Sequence, residues 1–186
     1  MSRLGGPRHL IRRFFWSLWP GGTDPDAEER VVAAMSPAER ALHQRLSPVD
    51  RLHGVAGVAS VVSDLGERAT DEVVVAAALH DVGKLAAGLG TSGRVGATLV
   101  AALVGERRLD IWAELGDDPA DAIDDPPCSW RRRVGRYARH DVIGAAALRR
   151  AGSAGLVVDW AAYHHAPARC PGDPELIAAL CSADEA

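Results

Sequence analysis

Five of the seven histidines in this 186-residue chain, His53, His80, His140, His164 and His165, fall among small apolar residues in stretches with helical spacing. The sharpest case is "VVVAAALHDVGK", Val73 to Lys84, where an unbroken apolar run ends in His80 and Asp81. A polar group buried there without a partner costs roughly 2–7 kcal/mol, and a charge costs more. Asp184 repeats the pattern, a carboxylate directly after the apolar "LIAALCSA". Several imidazoles and carboxylates ending on apolar faces of different helices cannot satisfy one another cheaply. A divalent metal satisfies them together, and this donor set admits Zn, Fe, Ni, Co, Mn or Mg.

The elements that must position these groups read as helices throughout. "SPAERALHQRL" opens with Ser36 as N-cap, Pro37 at the first helical position and Glu39 completing a capping box. "SPVDRLHGVAGVASVVSDLG" repeats the device with Ser47, Pro48 and Asp50, and Gly66 is placed to cap its end. On that helix His53 shares a face with Val49, Gly57 and Ser60, so it points inward. The next helix is expected from Thr70 to Gly83, with His80 and Asp81 in its last turn. "WRRRVGRYARHDVIGAAALRRAG" reads as one helix, on which Arg136 and Gly144 lie four residues either side of His140. Arg136 is therefore expected beside His140, where its planar guanidinium could take an anionic ligand bidentately. Arg94 in "GTSGRVGAT" is a second candidate for that role. The proline-broken acidic stretch "GDDPADAIDDPPCS" reads as a loop, and His9 and His43 as solvated. No alternating strand pattern or nucleotide-binding glycine loop is visible, so the fold class expected is an all-α helical bundle, whose core is a suitable scaffold for metal ligands from facing helices.

The order His53, then His80-Asp81 in "LHDVGK", then a distant Asp184 resembles the HD superfamily of metal-dependent phosphohydrolases. The resemblance covers Pro48 to Asp184. It implies a metal held by His53, His80, Asp81 and Asp184, with Asp81 bridging to a second ion held by His140 and by His164, His165 or both. Those last three are similar to the extra ligands of the HD-GYP phosphodiesterases, although no Gly-Tyr-Pro sequence follows the histidine pair here. The activity implied is hydrolysis of a phosphomonoester or phosphodiester, of a nucleotide or related phosphorylated metabolite, by two divalent ions that activate water and clamp phosphate oxygens. Asp81 and Lys84 would be the catalytic residues, and Lys84, one helical turn beyond Asp81, would also bind the substrate phosphate. Two rivals share the scaffold: a non-catalytic HD-like signalling domain, and a di-iron HD oxygenase.

Composition sets the surroundings. With 47% hydrophobic residues, 25% charged and a net charge of −4, the chain has no electrostatic reason to bind nucleic acid. Its three cysteines form no CxxC pair, which favours a reducing, cytoplasmic setting over a disulfide framework. Asparagine is absent and Lys84 is the only lysine, as a GC-rich gene would dictate, so a lysine retained beside His80-Asp81 stands out. Residues 1–25 form a basic, aromatic extension ahead of an HD-type domain over 26–186. Its "FFWSLW", Phe14 to Trp19, is too short for an export signal and suits contact with a membrane surface or a partner protein.

Overall fold

A computed structural model describes residues 25–127 and 129–185, which form ten α-helices and no strand. The expected all-α bundle is what is found. The helices are α1 (Pro25–Ala34), α2 (Pro37–Arg45), α3 (Pro48–Leu65), α4 (Asp71–Leu79), α5 (Thr91–Val104), α6 (Glu106–Ala113), α7 (Trp130–Ala138), α8 (His140–Arg150), α9 (Gly155–Tyr163) and α10 (Pro174–Glu185). The Phe14–Trp19 surface, and all of the proposed extension but Pro25, lie outside the described residues.

Local chemistry explains the boundaries. Ser36 Oγ accepts from the Glu39 N–H while the Ser36 N–H donates to Glu39 Oε2 at 2.8 Å, a complete capping box. Ser47 caps α3 by accepting from the Asp50 N–H, and its hydroxyl donates to Asp50 Oδ2 at 2.7 Å. Gly66 follows α3 with φ 54°, a conformation glycine adopts without the Cβ penalty.

Helix α4 organises the core. Every residue from Val73 to Leu79 is buried, as expected of a helix apolar on all sides, and α1, α3, α9 and α10 pack around it. It ends earlier than the sequence suggests. Leu79 is its last residue, His80 is the cap, and Asp81 leads into a 3₁₀ turn over Val82–Ala87 that packs on α8. That turn is possible because Gly83 has no side chain: a Cβ there would lie 1.9 Å from His140 O and 2.6 Å from Gly144 N. Likewise a Cβ on Gly54 would meet Ala78 O at 2.6 Å, so α3 crosses the end of α4 with backbones nearly touching beside His53.

Two further expectations are corrected. The stretch from Trp130 to Arg150 is two helices, broken at Arg139 (φ −114°, ψ 19°), whose guanidinium is tied to Asp110 and Glu106. His43 is buried on α2, and burial, then the Arg51 charge, lower its basicity. The acidic stretch does form a loop around a short 3₁₀ turn, Pro119–Ile123. Among the described residues no single helix is long and apolar enough to cross a membrane.

Candidate metal centre

Four helices end at one place. His80 caps the C-terminus of α4 and His164 that of α9; His140 directly follows the cap of α7, and Asp184 lies in the last turn of α10. Helix C-termini carry the negative end of the peptide dipole and favour cations, and the N-terminus of α8, which begins at His140, sets one positive end against them. In three cases the same short pattern recurs, Ala78-Leu79-His80-Asp81, Ala138-Arg139-His140-Asp141 and Ala162-Tyr163-His164-His165. In each, the histidine Nδ1–H donates to the carbonyl three residues earlier: Ala77 at 2.9 Å, Tyr137 at 2.7 Å and Ala161 at 2.9 Å. This bond fixes the tautomer and turns Nε2 toward the centre, as a carbonyl bonded to the far ring nitrogen does for metal-bound histidines.

The side chains fall into two groups, each close enough to hold one ion. His53, His80 and Asp184 form the first: Asp184 Oδ1 lies 3.3 Å from His53 Nε2 and 3.1 Å from His80 Nε2. His140, His164 and His165 form the second, with His140 Nε2 at 3.3 Å from His164 Nε2 and 3.1 Å from His165 Nε2. Asp81 stands between them. Its Oδ2 is 3.5 Å from His80 Nε2, and its Oδ1 is 3.3 Å from His140 Nε2 and 3.8 Å from His164 Nε2. All seven residues expected as ligands are therefore brought together.

The donor set passes a physical test for metal. His140 and His164 both give their Nδ1 protons to backbone carbonyls, so in their neutral forms two lone pairs face each other at 3.3 Å. A shared cation relieves that repulsion. Ligands about 2.0–2.2 Å from an ion stand roughly 3.0–3.5 Å from one another, which the spacing of each group matches. Imidazoles and carboxylates without thiolate suit a borderline or hard divalent ion.

Electrostatics agree. Burial pushes the His164 imidazolium down to about 3, helped by the charges of His80 and His140, and burial with the charges of His164 and His140 lowers His165 further. Both are neutral donors at physiological pH. Burial also opposes charge on His80, but the Asp81 and Asp184 carboxylates together outweigh it and raise its pKa. Against those two carboxylates the only buried ammonium is Lys84, which pairs with Asp81 Oδ2.

The two arginine expectations fare differently from the ligands. Arg136 does not face His140, because the break at Arg139 removes the shared helix face. Its buried guanidinium instead donates to the carbonyls of Ala113 (3.4 Å), Ala122 (3.2 Å) and Asp125, and to Asp125 Oδ2 at 2.6 Å, holding the acidic loop. Arg94 is near the centre but engaged in a two-point pair with buried Asp50 at 2.5 and 2.6 Å. Burial opposes ionisation of Asp50, yet Arg94 and Lys84 hold its carboxyl below the usual range. Sequence reasoning passed over Asp50 as a simple cap residue, and Asp141 altogether. Asp141 is buried beside His140 and, with His165, lines a cleft of 630 Å³ that opens beside the second ligand group. No protein-family model, curated protein or solved structure matches this chain.

Proposed function

We propose that the chain is an HD-type metal-dependent phosphohydrolase that cleaves a phosphomonoester or phosphodiester bond of a nucleotide or related phosphorylated metabolite. One observation carries this reading: Asp81 directs one oxygen toward each of two three-residue ligand groups. In it, His53, His80 and Asp184 would hold one divalent ion and His140, His164 and His165 a second, with the Asp81 carboxylate between the two groups. When bound, such ions lower the pKa of water and act as Lewis acids toward phosphate oxygens.

The chain's own residues do the rest. The bonds from Nδ1 to the backbone keep His80, His140 and His164 oriented with Nε2 inward. Lys84 is held at the centre by Asp81 and supplies a cation to a phosphate oxygen. That buried ammonium favours an anionic substrate. The apolar wall of α4 limits bulk water on one side and strengthens these charge interactions.

The test is metal content after loading with Mn and desalting, for wild type and Asp81→Asn in parallel, with release of nitrophenol from p-nitrophenyl phosphate and bis(p-nitrophenyl) phosphate. Wild type is expected to hold about two ions per chain and to turn over one ester. Asp81→Asn is expected to lose more than the roughly 10–100-fold in activity that loss of an outer-shell partner costs. Full activity in the variant refutes the mechanism. Negligible metal in wild type leaves the imidazole cluster as structure and supports the signalling-domain rival.

A further inference from the structure

The cleft beside His165 is walled by α8, the loop before Pro119 and the end of α9, and three arginines line it: Arg149, Arg150 and Arg169. They are not equivalent. Arg150 is engaged by Asp118 and Asp121, both at 2.6 Å. Among the described residues, the guanidinium groups of Arg149 and Arg169 have no ion-pair or hydrogen-bond partner. Arg169 is instead poised over the Tyr163 ring, 5.7 Å from its centroid, which holds the fork without occupying its donors. Of the lining carboxylates, Asp118 is paired with Arg150 and accepts from the Ala120 N–H, and Asp141 accepts from the Val142 N–H. Asp117 is the remaining lining carboxylate, and Arg149 and Arg169 are the lining guanidinium groups left without an ion-pair or hydrogen-bond partner among the described residues.

Two arginines without partners among the described residues line a cleft that reaches His165, and so are placed to receive an anion. Ligand pockets of about 300–1,000 Å³ take a molecule of nucleotide size, and this cleft is of that order. We propose that the cleft binds the non-reacting end of the substrate, that this end carries a second anionic group held by Arg149 and Arg169, and that the substrate is therefore a phosphate ester with at least two anionic groups. This rests on the phosphohydrolase reading for which end reacts, but the subsite itself is defined by the two arginines.

The experiment uses adenosine 3′,5′-bisphosphate and adenosine 5′-monophosphate, which differ only in the second anion, with the Mn-loaded full chain and its Arg149→Gln/Arg169→Gln variant. Phosphate release and calorimetric binding are measured on the same samples. Wild type is expected to bind the bisphosphate at least tenfold more tightly than the monophosphate. The variant is expected to lose that preference while keeping its metal content and its monophosphate affinity within twofold. No preference in wild type overturns the proposal, as does a preference that survives in the variant or an equal loss for both nucleotides. If binding follows the expected pattern but neither nucleotide nor either nitrophenyl ester is turned over, the subsite stands and the phosphohydrolase reading falls.

Discussion

Gly83→Ala tests whether the two ligand groups depend on one backbone contact. The added methyl would sit 1.9 Å from His140 O, 2.6 Å from Gly144 N and 2.8 Å from His140 C, all backbone atoms that no rotamer change can move aside. To restore ordinary van der Waals separation, the Val82–Ala87 turn and the start of α8 must part by roughly 1.5 Å. His140 Nε2 and Asp81 Oδ1, now 3.3 Å apart, lie on opposite sides of that opening. Two ligands of one ion at about 2.1 Å can be no farther apart than about 4.2 Å, so the opening takes this pair past the limit. The first group, carried by α3, α4 and α10, does not cross the contact. Overpacking costs about 1–3 kcal/mol and more where backbone must move. The expected result is a chain that stays helical by circular dichroism, melts several degrees lower and retains about one Mn instead of two. Gly155→Ala is the control, since nothing lies within 4 Å of its added Cβ. A Gly83→Ala protein with two ions and an unchanged melting temperature would refute the reasoning.

Two other outcomes follow from buried charge. In metal-free protein, His164 titrates far below its unfolded value, so the unfolded chain takes up its proton first as pH falls. Stability is then fully present above about pH 6.5 and falls below it, by about 2 kcal/mol at pH 5 from this residue alone. His165 adds to the loss, and His80, whose pKa is raised, opposes it. Urea unfolding in chelator at pH 7.5, 6 and 5 should show the decline, and a flat profile would contradict the assignment of His164 as a buried neutral donor. Arg136→Ala removes the donors to the Ala113 carbonyl at the end of α6 and to the loop carbonyls of Ala122 and Asp125, together with the closer of two arginine partners of the Asp125 carboxylate. It should destabilise the chain by about 3–5 kcal/mol with metal content per folded chain unchanged. Loss of metal without loss of stability would return Arg136 to the centre.

The candidate ligands His80, Asp81 and Asp184 were legible because each breaks an apolar helical pattern at a helix end, which can be read without knowing the fold, whereas His53 within α3 and His140 behind an arginine-rich stretch joined them through spacing and order. His53 points inward from α3 as its neighbours Val49, Gly57 and Ser60 require, and Asp81 stands one residue beyond the cap of α4. What the pattern could not show was where a helix stops. From Trp130 to Arg150 the residues favour helix without interruption, and the break at Arg139 is imposed by tertiary contacts: Gly135 lets α7 press onto Ala113, and Arg139 is drawn to Asp110 and Glu106. That break moved Arg136 away from His140, and it also created the helix end whose Tyr137 carbonyl orients the His140 ring. His43 was misread for a related reason, since polar neighbours in sequence do not reveal what packs over a side chain from elsewhere. The thrice-repeated Ala-x-His followed by Asp or His was available in the sequence, but its meaning depends on each histidine following a helix whose last turn offers a carbonyl. The histidines therefore do more than end their helices. Each closes a C-terminus with Nδ1 and offers Nε2, so the same bond that satisfies an orphan carbonyl aims a donor at the place where these helices end.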